Sequence, residues 1–364
     1  MLYKLQKNVL KKRYTVGDSM NIVVQKFGGT SICNKDQFKK SIIHIQKELK
    51  LNHKVICVVS AMGRKKDPYA TDTLKNLINF HVSKKEQDRL MSIGEIISSI
   101  VFTDYLIEND INAIALSTKE IGIITNNNFT NADIIKINDL DILNKLSKFD
   151  VLVIPGFQGQ TLNGEVTTLG RGGSDTTAIA LGIALDALYV EIISDVEGVF
   201  TADPRIVKEA IKIPKLNFDV LVDMTKNGSK VLHAKGALLA KYNKVNLRFV
   251  AIDDFNCYTE VEDENVLLTN LSYQNDYIKY DIEANISDKN VFEIDNNYYI
   301  HSDDEELWKN KLNEQNKTYE RTKGYSKITI IKYDKVKSEQ YIFVETKDVN
   351  QKLCELHQKL FETG

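Results

Sequence analysis

Three features that this chain of 364 residues lacks exclude several classes of protein. It has only four cysteines, none in a Cys-x-x-Cys pair, which argues against a disulfide framework or a structural zinc site and favours a reducing compartment. It has no apolar run approaching the roughly 20 residues of a membrane span. Its formal net charge of −2 gives no basic field for nucleic acid. We therefore predict a cytoplasmic protein with neither a membrane nor a nucleic-acid partner.

Changes in composition divide the chain into three predicted regions. Residues 1–19 are polar and rich in lysine, and Met20 directly precedes the first clear strand, so we expect a disordered leader or a natural start at Met20. Residues 20–252 alternate between strand and helix patterns. Residues 253–364 contain no proline, have little glycine and are crowded with Asn, Asp, Lys and Tyr.

A mainly parallel sheet is predicted for residues 20–252. Helical spacing of apolar residues predicts amphipathic helices, one of them marked by Leu90, Ile93, Ile97, Ile100 and Val101. Continuous apolar runs indicate buried strands, and such runs separated by helices are typical of an α/β fold with both sheet faces covered. These strands are predicted at residues 22–25, 55–59, 113–116, 151–154 and 188–193.

The region 253–364 is predicted to be a small α+β domain, with partial disorder as the open alternative. Its predicted strands are residues 266–269, 298–300, 328–331 and 341–344. Its predicted helices are residues 304–313 and 349–361.

The first glycine-containing motif is Lys26-Phe27-Gly28-Gly29-Thr30-Ser31, at the end of the first strand. Two glycines allow backbone N–H groups to approach an anion closely, and Lys26 adds a positive charge. This combination suits the terminal phosphates of a nucleotide, although the P-loop pattern is absent. A tight turn with a surface lysine is the alternative for this motif alone.

The second motif is Gly170-Arg171-Gly172-Gly173-Ser174-Asp175, which leads into an alanine-rich helix. The helix start offers unpaired N–H groups to an anion, and Arg171 can pair bidentately with a carboxylate. Ser174 or Asp175 could instead be a simple N-cap. Because an N-cap does not need Arg-Gly-Gly before it, we favour a binding role.

The third motif, residues 194–205, follows a buried strand, where open α/β sheets bind ligands. Phe200 can stack on a base, and Asp195 and Asp203 can contact a ribose or a metal. A solvated turn at Asp203-Pro204 is the alternative.

Together and in this order, the three motifs resemble the aspartokinase branch of the amino-acid kinase superfamily, from about residue 23 to residue 250. Residues 64–72 are most similar to Gram-positive, single-function aspartokinases of the lysine or diaminopimelate pathway. Further blocks that match the family are residues 60–63, 68–74, 92–95, 155–159 and 228–233.

This resemblance implies the family's fold, a three-layer αβα sandwich with a mainly parallel central sheet. It also implies the reaction, transfer of the γ-phosphoryl group of Mg-ATP to the β-carboxylate of L-aspartate. The product, 4-phospho-L-aspartate, begins the biosynthesis of lysine, diaminopimelate, threonine and methionine. Magnesium is expected to be carried with ATP, and no metal site of the chain's own is predicted.

The resemblance also implies residue roles. Lys26 would stabilise the transferring phosphoryl group, while Asp175 would orient Lys26 or the metal-bound phosphates. Arg171 would hold the α-carboxylate of the substrate and Glu95 its ammonium group. The other implied substrate-binding residues are Ser60, Thr71 and Ser174. The implied ATP-binding residues are Lys26, Gly28, Gly29, Ser194, Asp195, Phe200, Arg205 and Lys230.

Several of these roles have a structural alternative. Glu95 could be a solvated charge on its helix, and Thr73 could face the substrate in place of Thr71. Lys230 could be an ordinary surface residue. His233 has no metal partners in the sequence pattern, and we interpret it as structural.

The C-terminal region departs from the resemblance. Aspartokinases normally end in two ACT domains, βαββαβ modules that dimerise and bind effector amino acids. About a hundred residues follow Val250, too few for two such modules, and no glycine-bearing effector loop is evident. We expect a degenerate, ACT-like domain, with a homodimer as the default assembly.

Two other functions stay open from the sequence. One is another amino-acid kinase, such as a glutamate, carbamate or uridylate kinase, and the blocks at 92–95 and 170–175 weigh against it. The other is a catalytically idle homologue with a regulatory role. The intact Lys26, Glu95, Arg171 and Asp175 weigh against this second alternative.

We predict that lysine and threonine inhibit the enzyme weakly or not at all, because the effector loop is not evident. The check is the rate of aspartate phosphorylation measured with each amino acid added separately. Strong inhibition by either at submillimolar concentration would contradict the prediction.

Overall fold

The computed structural model describes residues 20–64, 66–263, 268–282, 290–294, 297–315, 317, 319–333 and 337–361. The predicted leader, residues 1–19, lies outside the described residues, as does the first half of the predicted strand 266–269.

The chain forms two compact units. The first comprises Met1–Val199, Ile213–Val222 and Val231–Glu264, and the second comprises Phe200–Lys212, Asp223–Lys230 and residues 265–364. The domain limits predicted from composition, 20–252 and 253–364, stay a prediction, and the compact units divide the chain differently.

The helices and strands are numbered in chain order. The helices are α1 (Lys35–Lys50), α2 (Thr71–Lys75), α3 (Lys84–Met91), α4 (Ile93–Glu108), α5 (Thr118–Ile121), α6 (Leu140–Leu146), α7 (Gly173–Ala184), α8 (Phe218–Lys226), α9 (Ala234–Asn243), α10 (Glu305–Glu314) and α11 (Val349–Phe361). The strands are β1 (Ile22–Phe27), β2 (Lys54–Val59), β3 (Ala113–Ala115), β4 (Ile123–Thr125), β5 (Ile134–Ile137), β6 (Val151–Pro155), β7 (Gln158–Gln160), β8 (Val166–Thr168), β9 (Val190–Ser194), β10 (Val199–Phe200), β11 (Lys212–Ile213), β12 (Lys215–Asn217), β13 (Leu247–Ala251), β14 (Tyr258–Glu262), β15 (Leu268–Asp281), β16 (Val291–Ile294), β17 (Asn297–His301), β18 (Glu320–Tyr333) and β19 (Lys337–Glu345).

An eight-stranded sheet in the order β12-β14-β13-β9-β1-β2-β6-β3 forms the centre of the first unit. Every neighbouring pair is parallel except β13 with β14. The five strands predicted from continuous apolar runs are its β1, β2, β3, β6 and β9, so the prediction of a mainly parallel sheet is confirmed.

Helices cover both faces of this sheet. Successive residues of a strand point to opposite faces, and because the strands are apolar at successive positions, both faces are apolar and need a cover. One face packs Phe27, Cys57 and Val153 against Phe38 of α1 and Phe102 of α4. The other face packs against α7, which lies on β1, β2 and β9 and also contacts α9. The three-layer αβα arrangement follows from these contacts.

Helix α4 buries a different face from the one that its isoleucines indicate. Ile93, Ile100 and Val101 are exposed, whereas Phe102 and Leu106 are buried in the core. Near its start the inward face needs small residues, since a Cβ on Gly94 would lie 2.5 Å from the Tyr69 carbonyl oxygen. Helical structure is thus present where it was predicted, in α3 and α4, but the apolar residues that marked it are not the buried face of α4.

The stretch Lys84–Glu108, which contains α3 and α4, is long and apolar enough to cross a membrane by length and composition alone. Such a stretch is weak evidence for a membrane span, because core helices of soluble proteins pass the same test. Phe102 and Leu106 lie in the core of the first unit, as in such a helix.

A small four-stranded sheet, β5-β4-β7-β8, also belongs to the first unit. It was not predicted, because strands such as β7 (Gln-Gly-Gln) and β8 (Val-Thr-Thr) contain no continuous apolar run. Its last strand, β8, leads directly into the Gly170–Asp175 motif.

The second unit contains the antiparallel sheet β16-β17-β15-β18-β19 with α10 and α11, so the predicted α+β class is confirmed. Trp308 of α10 packs on Ile278 and Tyr280, and Leu353 of α11 packs on Leu271 and Ile328. From β17 onward the described elements run β-α-β-β-α, the order of the first five elements of a βαββαβ module, and β15 and β16 precede them. The ACT-like character of this region stays a prediction.

Phe102→Ala is expected to lower the free energy of unfolding by about 3–5 kcal/mol, the usual loss when a buried aromatic ring is removed. Phe102 is 0% exposed, and its ring centroid lies 5.6 Å from that of Phe27 and 5.5 Å from that of Phe38. Urea denaturation followed by circular dichroism measures the change. The control is Ile100→Ala, since Ile100 is exposed on the same helix. The control should cost less than about 0.5 kcal/mol; equal losses would show that α4 is oriented differently.

Candidate functional site

A cavity of about 730 Å³ in the first unit lies at the carboxyl ends of β1 and β2, where parallel sheets commonly bind ligands. Its wall combines the two glycine-containing loops with α4 and the start of α2. Predicted residues that line it are Lys26, Gly29, Ser60, Thr71, Glu95, Arg171, Ser174 and Asp175.

Gly29 allows the first glycine loop to contact the loop after β2 backbone to backbone. A Cβ on Gly29 would lie 2.3 Å from the Ala61 carbonyl oxygen and 2.8 Å from that of Gly63. The Gly63 N–H donates a hydrogen bond of 3.0 Å to the Gly29 carbonyl oxygen. Any side chain at Gly29 would therefore separate the two loops.

Lys26 and Asp175 form the central ion pair of the cavity. The Lys26 Nζ lies 2.7 Å from the Asp175 Oδ1, and the two side chains are only 14% and 15% exposed. Lys26 comes from the central strand β1 and Asp175 from the first turn of α7, 149 positions later in the sequence. The pair thus joins the two glycine motifs.

The second glycine loop has a conformation that requires glycine. Gly170 and Gly172 have φ values of 78° and 71°, in the left-handed region. A Cβ on Gly172 would lie 2.2 Å from the Cβ of His233. Gly172 is the N-cap of α7 and makes no side-chain capping bond, while Ser174 and Asp175 lie within the helix. The simple N-cap interpretation of these two residues is therefore wrong.

Glu95 is buried at the cavity wall, not solvated on its helix. Its side chain is 3% exposed, and its Oε1 accepts hydrogen bonds from the Ala61 N–H at 3.2 Å and the Thr71 hydroxyl at 3.5 Å. Within the described part of the chain its Oε2 has no hydrogen-bond partner. Burial raises the pKa of Glu95 to about 8, against the opposite effect of its hydrogen bonds. A cationic ligand group beside Oε2 would favour ionisation.

Thr71 and Thr73 have different positions. Thr71 begins α2, lines the cavity and donates to Glu95. Thr73 instead accepts a hydrogen bond of 3.2 Å from the Lys66 N–H. The geometry places Thr71, and not Thr73, beside the cavity.

Three predicted nucleotide-binding residues of the first unit, Gly28, Ser194 and Asp195, lie outside the cavity lining. Ser194 ends β9, and its hydroxyl accepts a hydrogen bond of 3.3 Å from the Val196 N–H. Asp195 forms an ion pair of 2.7 Å with Arg64, a cavity residue. Both partners are more than half exposed, so this pair contributes little stability.

The remaining predicted nucleotide-binding residues belong to the second unit. Arg205 donates to Asp203 through Nε at 2.9 Å and Nη2 at 2.7 Å, and this contact holds the pKa of Asp203 below its usual value. Lys230 lies over the ring of Tyr273, 5.6 Å from its centroid. The Phe200 carbonyl oxygen accepts a hydrogen bond of 3.2 Å from the Asn270 amide. Their role in binding ATP stays a prediction.

His233 packs against the second glycine loop. Burial and the nearby Arg171 lower the pKa of His233. Across the described ranges, no group of three or more His, Cys, Asp or Glu side chains is placed to hold a metal.

Known proteins resemble this chain both in sequence and in structure. Residues 21–251 match the amino acid kinase family. Aspartokinase 1 of Bacillus subtilis is 40% identical over 285 residues, which cover 75% of this chain and 70% of that protein. The aspartokinase of Geobacillus stearothermophilus is 41% identical over 231 residues, which cover 63% of this chain and 56% of that protein.

This chain belongs to the aspartokinases of the amino acid kinase family. It spans between about half and seven tenths of the length of the curated aspartokinases that it matches. The alternative of a glutamate, carbamate or uridylate kinase is not favoured by these matches, and neither is that of an idle homologue.

Solved aspartokinases have the same fold. Escherichia coli aspartokinase III in complex with aspartate and ADP matches with a TM-score of 0.74 at 22% identity, covering 94% of this chain and 100% of that chain. The aspartate kinase of Clostridium acetobutylicum matches with a TM-score of 0.67 at 18% identity, covering 95% of this chain and 100% of that chain.

Several cavity residues of this aspartokinase were not predicted. Arg64 and Phe157 lie beside or within blocks that match the family, so proximity to those blocks could have indicated them. Thr130 lies in an Asn-rich loop with no motif, and no sequence signal marks it. Tertiary contacts alone bring Thr130 to the cavity.

Glu95→Gln is expected to weaken the fall in stability between about pH 5 and pH 8. The pKa of Glu95 is 4.5 in an ordinary environment and about 8 in the folded protein, so the folded state binds a proton more tightly than the unfolded state does. This proton binding stabilises the fold fully below pH 4.5, and the stabilisation is lost as the pH rises through 8. Glutamine mimics the protonated form and removes this loss. Melting temperatures across this pH range measure it. The control is Glu108→Gln at the exposed end of the same helix. Parallel pH curves for Glu95→Gln and the unchanged protein would refute the prediction.

Proposed function

We propose that this chain transfers the γ-phosphoryl group of ATP to the β-carboxylate of L-aspartate. The observation that carries this proposal is one cavity lined by the Lys26–Asp175 pair, by Arg171 and by a buried Glu95 with a free oxygen. The cavity therefore offers a cation for a phosphate, a cation for a carboxylate and a carboxyl group that an ammonium group would ionise.

These groups are matched to an amino acid with two carboxylates. Arg171 is exposed to the cavity and can form two parallel hydrogen bonds with the α-carboxylate. The free Oε2 of Glu95 can accept a hydrogen bond from the α-ammonium group, which favours the ionised carboxylate. Ser60, Thr71 and Ser174 supply hydroxyl groups around the same space. The substrate's second carboxylate is then left to face Lys26.

The transfer itself needs no strong base. The β-carboxylate is already a nucleophile, and one of its oxygens forms a bond to the γ-phosphorus while the bond to the leaving ADP oxygen breaks. Catalysis is then mainly positioning and charge stabilisation. Lys26 neutralises charge on the transferring group, and Asp175 holds the Lys26 ammonium in place. Gly28 and Gly29 offer backbone N–H groups beside it.

Magnesium fits this arrangement as a companion of ATP. Mg²⁺ prefers oxygen ligands and commonly binds one or two carboxylates together with substrate phosphates. Asp175 places a carboxylate beside Lys26 at the phosphate side of the cavity. Bound there, the ion would neutralise phosphate charge.

We further propose that the enzyme is a cytoplasmic homodimer. This proposal rests on the resemblance to aspartokinases and on the reducing environment that the isolated cysteines favour.

Lys26→Ala and Arg171→Ala are expected to affect different kinetic constants. Loss of Lys26 removes transition-state charge stabilisation and should lower kcat by roughly a hundred- to a thousandfold. Loss of Arg171 removes a contact to the bound substrate and should raise KM for aspartate by about ten- to a hundredfold. Trapping the acyl phosphate with hydroxylamine measures both constants.

Two exposed residues supply matched controls. Lys39→Ala and Arg89→Ala remove the same charges from side chains that are 69% and 61% exposed, and both should leave kcat and KM unchanged. Glutamate, carbamate and UMP replace aspartate in parallel assays. Faster phosphorylation of one of these, or no phosphorylation of any, would overturn the proposed function.

A further inference from the structure

Thr130 lines the cavity in a conformation that is unusual for its side chain. Its φ is 74°, in the left-handed region, which β-branched residues rarely adopt. Such a conformation persists only where surrounding contacts impose it. The Thr130 N–H donates to both carboxylate oxygens of Asp88, at 2.9 and 3.1 Å.

Asp88 itself is a buried carboxylate on α3, 0% exposed. Besides Thr130, it accepts hydrogen bonds from the Thr168 N–H at 3.0 Å and from the Thr168 hydroxyl at 2.6 Å. Each of its oxygens therefore has two donors. In the described ranges no cation lies within ion-pair distance, and burial raises the pKa of Asp88. A carboxylate buried in this way is costly unless its hydrogen bonds are retained.

The two residues that Asp88 holds lie on neighbouring segments of the cavity wall. Thr168 ends β8 and is followed by Leu169, Gly170 and Arg171. The segments also contact each other, since the Ala132 N–H donates to the Thr168 carbonyl oxygen at 2.9 Å. A Cβ on Gly170 would lie 2.7 Å from the Asn131 Oδ1. Movement of the Thr130 segment would therefore displace the loop that carries Arg171.

We infer that Asp88 is a positioning residue for substrate binding, which fixes Thr130 and the base of the Arg171 loop around the cavity. This inference rests on the proposed function. Packing alone does not explain a carboxylate at this position, because an apolar side chain would fill the space without the cost of burying a charge. The four hydrogen bonds all go to the two segments of the cavity wall.

The test compares Asp88→Asn with Glu191→Gln. Both replace a buried carboxylate by an amide, but Glu191 lies on β9, 2% exposed, with a hydrogen bond from Gln25, and does not line the cavity. Asp88→Asn should raise KM for aspartate about tenfold or more, because the amide keeps only one acceptor oxygen and cannot make all four contacts with the three donor groups. KM for ATP should stay within about twofold. Glu191→Gln should change neither constant.

A second pair of variants keeps the test decisive if Asp88→Asn does not fold. Thr168→Val removes one hydrogen bond to Asp88 and should raise KM for aspartate, whereas Thr168→Ser retains the hydroxyl and should behave as the unchanged enzyme. An unchanged KM for aspartate in Asp88→Asn or Thr168→Val, or equal changes in Asp88→Asn and Glu191→Gln, would overturn the inference.

Amide exchange separates this inference from the proposed function. If the unchanged protein phosphorylates no aspartate, the proposed function fails, but the anchoring can still be measured without substrate. Hydrogen–deuterium exchange of residues 126–133 should be faster in Asp88→Asn than in Glu191→Gln. Equal exchange rates in the two variants would overturn the positioning role.

Discussion

The ion pair between Lys26 and Asp175 is the interaction on which the rest of the site depends. It joins the central strand of the parallel sheet to the helix that packs on that strand, and it lies where the two glycine loops meet. Because both side chains are largely removed from water, loss of either partner would leave a poorly solvated charge, which costs several kcal/mol. A phosphate or metal ion entering here would exchange one charged partner for another.

Two buried carboxylates, Glu95 at the cavity wall and Asp88 behind it, have different environments. Asp88 receives four hydrogen bonds and serves the protein's own backbone. Glu95 lines the cavity and has one buried oxygen, Oε2, with no hydrogen-bond partner among the described residues. An unsatisfied buried oxygen lowers stability, and such exceptions to good packing are expected at functional sites. The two carboxylates thus differ in hydrogen bonding, and this difference underlies the separate roles that we propose for them.

The second unit has its own hydrophobic core, although residues 253–364 are rich in Asn, Asp and Lys. Lys327 is 4% exposed on β18, and its ammonium group lies 4.8 Å from the ring centroid of Phe292, 5.5 Å from that of Tyr277 and 5.4 Å from that of Tyr341. Burial lowers the pKa of Lys327 to about 8, while the three rings stabilise the cation that remains. At this position a lysine and its aromatic neighbours are therefore part of the packed sheet.

The sequence by itself determined what depends on local pattern. Continuous apolar runs predicted the strands of the parallel sheet, helical spacing predicted α11 at its observed limits, and the glycine motifs indicated both loops at the cavity. Only the tertiary structure decided which face of α4 is buried, that Thr71 and not Thr73 borders the cavity, and that Asp88 holds Thr130. These facts depend on contacts between residues 24 to 80 positions apart. Periodicity in a sequence indicates the local backbone conformation. The burial of a side chain and the protonation of a carboxyl group depend on the distant segments that pack against it.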